Sequence, residues 1–279
     1  MSGERLGFKR MVVGLPQNLA DKAAMDIAAD LAERLQIDFF AAFMADTTLH
    51  ELAEMSGARE LRALDLGWQA IDLVQIARDV EYASESARGR FTEAIKARAI
   101  NAKFDVMSAV TVSSLIRADD IVAIIEPAHP GEAISRQFTA LFQAAFAAAG
   151  AVLIVPRRII RASGPVVAEV SVSDDPSIAA ALKIAAALKE RLIVVTAAGT
   201  RLPTDLLAEA EELGVAIEHI ASNSPADALP LAAAAAPLRE RLRVVPRHLL
   251  INDAQRMFSS LHGVPLLVLE PRRAEPAPE

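Results

Sequence analysis

Cysteine is absent from the 279-residue chain. Its absence excludes disulfides, thiolate metal sites and cysteine nucleophiles, and it suits a reducing compartment. Long apolar runs are missing as well: none reaches the ~18 uninterrupted residues of a membrane span. The Ala-rich stretch 140–155 is broken by Gln143 and Gly150 and reads as helix, turn and strand, while residues 1–9 lack the apolar centre of a secretory signal. The expectation is a cytoplasmic protein that makes no membrane contact. Runs of Lys and Arg are also absent and the formal net charge is -7, so the clustered cations that nucleic-acid phosphates require are not there. Arg157, Arg158 and Arg161 come nearest to a basic cluster, and they read as a solvated linker. Aromatic residues make up 4% of the chain, with one Trp and one Tyr. Trp68 and Tyr82 are expected to cover a helix rather than to stack on a base.

Apolar residues, by contrast, are abundant: 53% against 23% charged, ample for a buried core. At about 150 residues per domain, the length points to two. Met11-Val12-Val13-Gly14-Leu15, closed by Pro16, has the form of a strand buried on both faces. Asn18 is a candidate helix cap, and Ala20, Ala24, Ile27, Leu31 and Leu35 recur at helical spacing. Residues 39–45 are a second apolar run, so the chain opens β-α-β. Residues 47–100 read as helical, with a break near Gly67 and a further amphipathic helix over 84–101. Strands are expected at 104–112 and 121–125, a helix at 134–149, and a strand at 151–155 ended by Pro156.

The same order returns: a strand over 166–172, a helix begun by Asp175-Pro176, a strand over 192–198, a helix over 204–213 stopped by Gly214, and a strand over 215–220. Beyond that, residues 232–236 are helix-prone, and 243–245 and 248–251 compete to be the fourth strand of this half. A helix over 254–261 and a strand over 266–269 close it. Gly150-Ala151-Val152-Leu153-Ile154-Val155 and Gly263-Val264-Pro265-Leu266-Leu267-Val268 occupy matching places, which marks an internal duplication. Strands alternating with helices pair in parallel through right-handed crossovers. The expected fold is α/β: two tandem flavodoxin-like or Rossmann-like domains, each a parallel sheet flanked by helices. The first spans 1–160 and carries a helical insert over 47–83. The second is shorter and spans 161–272, with 273–279 as a disordered tail. The last strands of the two halves are expected to lie together about a near-twofold.

This pattern resembles the universal stress protein family in its tandem form, an adenine nucleotide alpha hydrolase-like fold. The residues that carry the likeness are the β-α-β opening, Ile121-Val122-Ala123-Ile124-Ile125, a loop containing Gly131, an Ala-rich helix, and residues 151–156. Nucleotide-binding members carry Gly-x2-Gly-x9-Gly-Ser/Thr after the fourth strand, where glycines let backbone N–H groups approach phosphates at a helix N-terminus. Counted back from Pro156, those positions fall on Ile125, Ala128, Phe138 and Thr139. Thr139 fits, and Gly131 is a glycine out of register. The family's acidic residue after the first strand is replaced by Leu15-Pro16-Gln17-Asn18 in the first half and has Asp174 and Asp175 displaced by one position in the second. The resemblance therefore implies Gly131, Thr139, Asp174 and Asp175 as what remains of a nucleotide site.

No Gly-x-Ser-x-Gly elbow, Walker set or Rossmann glycine set is present. The histidines at 50, 129, 219, 248 and 262 lack metal-ligand spacing, so neither a catalytic group nor a metal site is expected. Asp175 also has the plain reading of a helix cap. The reading that follows is a universal-stress-protein-like binding or regulatory module in stress response, without catalysis, cofactor or family-type ATP binding. It would serve a protein partner, a small ligand or a homo-oligomer. Two alternatives stand beside it: an ATP-binding stress protein with a divergent loop, and a small-molecule enzyme centred on Glu126 and His129, beyond the carboxyl end of a strand where open α/β sheets place ligands. The insert holds Leu52, Met55, Leu61, Trp68, Leu73 and Val74 among many charges. It is expected to cover the nucleotide region or an oligomer contact, since burying one large side chain is worth about 1.5–3 kcal/mol.

Overall fold

In the computed structural model, which describes residues 6–16, 22–45, 51–52, 55, 57–61, 67–159, 161–222, 239–249 and 263–270, the apolar runs are strands and the amphipathic stretches between them are helices. The strands are β1 Arg10–Pro16, β2 Asp38–Met44, β3 Arg59–Leu61, β4 Trp68–Ala70, β5 Ala102–Met107, β6 Asp120–Ile125, β7 Ala151–Val155, β8 Val166–Glu169, β9 Leu192–Ala197, β10 Ile217–Ser222, β11 Leu242–Pro246 and β12 Leu266–Leu269. The helices are α1 Lys22–Leu35, α2 Leu73–Ile95, α3 Ala109–Leu115, α4 Pro130–Ala133, α5 Arg136–Ala148, α6 Pro176–Leu188 and α7 Thr204–Leu213.

Ten of the strands form one sheet in the order β10-β9-β8-β11-β12-β7-β6-β1-β2-β5. Each group of five has the order third-second-first-fourth-fifth counted outward to the centre, and within each group all pairing is parallel. The groups meet at β7 and β12, which run antiparallel with Leu267 opposite Leu153 and Val268 opposite Val152. Gly150 and Gly263 open matching strands, and those strands do lie side by side. The antiparallel seam is a local twofold, and it reverses the strand direction of one group relative to the other. The carboxyl ends of the first group therefore face the opposite edge of the sheet from those of the second.

α1, α2 and α6 cover one face with a core that runs through both groups, including Met11, Phe39, Leu153, Ala168, Leu182 and Leu267. α3 and α5 cover the other face of the first group through Val112, Phe138, Leu141 and Ala145. Gly14 lets α5 lie close on β1, because a Cβ there would meet Leu141 Cδ2 at 2.4 Å. Gly150 is tighter still, its Cβ position being 2.2 Å from the Ala118 carbonyl oxygen.

Two arginines tie the groups together beside the seam. Arg247, just past β11, donates to the carbonyl oxygens of Phe146 and Ala149 at the end of α5, at 2.6 and 3.0 Å. Arg241 reaches Asp30 of α1 at 2.5 Å. Within the first group Arg10 holds the buried Asp120 carboxylate through Nε and Nη2, at 3.1 and 2.7 Å.

The structure corrects three sequence expectations. The insert is not wholly helical: β3 and β4 form an antiparallel hairpin, with Leu61 opposite Trp68, preceded by Gly57 at φ +85°. The two helices read between Gly67 and residue 101 are one 23-residue helix, α2. Asp72 caps it by accepting from the N–H groups of Val74 and Gln75. The strand expected over 104–112 ends at Met107, because Ser108 accepts the Thr111 N–H and starts α3 instead. Of the two competitors for the fourth strand of the second group, 243–245 lies in β11, and Arg247–Leu249 is a 3-10 turn. Residues 250–251, the cap Asn18, the helices expected at 232–236 and 254–261, and the tail 273–279 lie outside the described residues. No helix among the described residues is long and apolar enough to cross a membrane.

Candidate ligand loops at the two sheet edges

In an open parallel sheet, ligands sit beyond the carboxyl ends of the strands where the winding reverses, between the first and fourth strands of each group. For the first group that place is bounded by the loop after β6. Ile124 and Ile125 are buried on both faces and end in Glu126, and the chain returns through Pro127, Pro130 and the four-residue α4 to α5. The backbone is fixed at every step. Glu126 accepts the Arg157 backbone N–H at 3.0 Å, and Arg157 Nε donates to the Glu126 carbonyl oxygen at 2.9 Å. His129 Nδ1 accepts the Glu132 N–H at 3.2 Å. Ser135 caps α5 by accepting the Phe138 N–H.

Glu132 is a buried acid of this loop. It is 7% exposed, and its Oε2 accepts the backbone N–H of Ala128 at 2.5 Å while standing 3.4 Å from Arg157 Nη2. Its Oε1 is buried without a hydrogen-bond partner. Counted back from Pro156, Ala128 stands at the position of the second glycine of the family's phosphate loop, a motif that this loop does not keep. The Ala128 N–H is thus bonded to a side chain of the loop itself.

The other sequence-derived residues sit as follows. Gly131 is exposed at the start of α4, beside the His129 ring. Thr139 is one turn into α5, half-buried, with its N–H bonded to the Ser135 carbonyl oxygen. Asp174 is exposed and Asp175 is buried, both at the turn from β8 to α6, which is the carboxyl edge of the second group. Gly131 and Thr139 are therefore on the opposite edge of the sheet from the two aspartates, and the four do not form one site. Asp175 Oδ1 accepts the Ser177 N–H at 2.8 Å, as a cap does. Its Oδ2 is 4.0 Å from His248 Nε2. Glu126 and His129, the pair on which an enzyme would depend, accept from the backbone N–H groups of Arg157 and Glu132. Among the described residues no group of three or more His, Asp or Glu side chains is placed to hold a metal ion; His50 and His262 lie outside them.

Among the buried acids, Glu132 and Glu169 escaped the sequence reading. Glu132 has a faint signal, an acid in the first turn after a proline at a helix start. Glu169 has a clearer one, a carboxylate in the apolar run Val166-Val167-Ala168-Glu169-Val170. It is 6% exposed, and burial pushes its pKa up from 4.5 to about 7, with Arg243 opposing and Glu240 reinforcing the rise.

The insert meets the first ligand loop at its rim, where Arg136 at the start of α5 contacts Glu51 at 3.4 Å. Some of its apolar side chains are not covered by the described residues: Trp68 is 61% exposed and Val74 62%.

The chain has the fold of solved universal stress proteins. The sequence matches no protein-family model and no curated protein. A universal stress protein from Archaeoglobus fulgidus DSM 4304 is similar in structure, with a TM-score of 0.59 at 12% identity over 93% of this chain and 96% of that one. A Pseudomonas aeruginosa UCBPP-PA14 protein provisionally assigned as a universal stress protein gives a TM-score of 0.54 at 14% identity, covering 96% of this chain and 95% of its own. A functionally unknown protein from Pseudomonas aeruginosa PAO1 gives 0.52 at 16% identity, over 97% and 95%. At these identities the likeness is one of fold.

Proposed function

We propose that the chain is a tandem universal-stress-protein-like module that acts in stress response by binding, with no catalysis and no ATP held in the family's manner. The observation that supports this reading is the buried Glu132 carboxylate on the Ala128 N–H, at the position of the second glycine of the family's loop. The second group offers no glycine from Arg247 to Asp253, and its buried Asp175 is used as a helix cap. A thermal-shift titration with ATP, ADP and AMP in the presence of Mg²⁺ tests the proposal. The expected result is no change in melting temperature at any concentration, whereas ligand at 100 times its Kd would stabilise by about 2.7 kcal/mol. A saturable rise would overturn it.

The exposed hairpin is the surface through which such a module would meet a protein partner or a second copy. Trp68→Ser is therefore expected to leave folding stability nearly unchanged. The loss should stay below about 1 kcal/mol, because only the cross-strand pair with Leu61 is removed. Chemical denaturation checks this, and a large loss would show that the indole is covered in the free chain.

A further inference from the structure

Away from both ligand loops, a cleft of about 310 Å³ opens between α1, the end of α6 and the segment joining the two strand groups. It adjoins Leu242 and Pro265, at the amino ends of β11 and β12, the edge opposite the one where that group would take a family ligand. Its floor is apolar: Leu31, Leu153, Leu188 and Leu242 are all no more than 5% exposed. Its walls carry charge of both signs.

Most of that charge is matched internally. Asp30 is taken by Arg34 and Arg241, at 3.1 and 2.5 Å. Arg98 donates to the carbonyl oxygens of Ala94 and Asp26, at 2.7 and 3.1 Å, and lies 3.8 Å from Glu33. Two side chains remain. Arg161, on the joining segment, and Asp26, on α1, both line the cleft. Both are half-buried, and neither side chain has a hydrogen bond or ion pair among the described residues. They are opposite in sign and yet do not pair, so their charged groups stand more than 4.0 Å apart. A half-buried charge without a partner is costly, and here two such charges face one opening above an apolar floor.

We propose that this cleft binds a small zwitterion with an apolar body, by chemistry an apolar amino acid. Its carboxylate is received by Arg161, its ammonium by Asp26, and its side chain lies on Leu31, Leu153, Leu188 and Leu242. The volume is at the lower end of the range for small-molecule sites, about 300–1,000 Å³, which suits a ligand of this size. Arg161 belongs to the segment between the strand groups, so the site exists only in the fused chain.

The full-length protein is titrated with L-leucine, L-phenylalanine, 4-methylpentanoate and 3-methylbutylamine, by calorimetry and by saturation-transfer NMR for heat-silent binding. The two organic ions are leucine stripped of one charge each. At least one amino acid is expected to bind saturably, one per chain, and each single-charge analogue about tenfold or more weaker, the scale of one hydrogen bond to a charged group. Asp26→Asn and Arg161→Gln should each weaken the amino acid about tenfold, while Asp26→Asn leaves 4-methylpentanoate binding unchanged. Neither side chain has a partner to lose among the described residues, so both variants should melt no lower than the parent, which separates lost binding from lost folding. No saturable binding of either amino acid, or binding of 4-methylpentanoate as tight as that of leucine, would overturn the proposal.

Discussion

Leu267→Ala will destabilise the whole chain by about 2–5 kcal/mol, the range for truncating a buried leucine where the surroundings cannot collapse onto the void. Leu267 is fully buried in β12, opposite Leu153 of β7 across the antiparallel seam. It belongs to the apolar cluster that runs through both strand groups. Because that core is continuous and Arg241 and Arg247 clamp it from both sides, the damage is not confined to the second group. Hydrogen exchange read by mass spectrometry should show the amides of β1 and β8 losing protection together in the variant. Retained protection over β1, β6 and β7 with loss over β8, β11 and β12 would mean that the two groups are independent folding units.

Glu169→Gln will stabilise the protein by an amount that grows from pH 4.5 to about pH 7 and is constant above it. The folded chain holds the Glu169 proton up to about pH 7, against an ordinary value of 4.5. Between those limits the native state binds more protons than the unfolded state, so stability falls as the pH rises. Below the lower limit no penalty exists; above the upper one it is fully present. A rise of this size corresponds to about 3 kcal/mol at 1.36 kcal/mol per pKa unit. Glutamine keeps the shape of the protonated acid and cannot ionise. Unfolding free energies of the two proteins should coincide near pH 4 and separate by about 3 kcal/mol near pH 8, on the same scale. Curves that stay parallel across that interval would show that the carboxyl is hydrated or paired in the native state.

What was legible in the sequence was legible for a physical reason. Strands buried on both faces are written as unbroken apolar runs, so β1, β2, β6, β7, β9 and β12 stand out without an alignment. The matching Gly150 and Gly263 runs expose the duplication and put the two final strands together. The insert was misread because β3 and β4 are three residues each, too short for a period of two to register against charged neighbours. The strand at 104–112 was drawn too long because Val110 and Val112 continue its apolar tone, although Ser108 with Thr111 is a cap. The expectation that the insert buries its apolar residues fails for Trp68 and Val74, which the described residues leave exposed. Glu132 was passed over because its importance is tertiary: nothing local says that its carboxylate turns back onto Ala128. The Asp26–Arg161 cleft could not be read at all, since it joins a helix of the first group to a segment 135 positions away, and only the antiparallel seam brings them to one opening.

The central proposal is that the fold shared with universal stress proteins is kept here without ATP binding, the Ala128 N–H being taken by the chain's own Glu132. Native mass spectrometry of the full chain, as isolated and after equilibration with Mg²⁺ and ATP, tests it most directly. The account predicts no nucleotide adduct on the 29.8 kDa chain or its oligomers in either sample. A stoichiometric ATP or ADP adduct that survives gentle desolvation would contradict it.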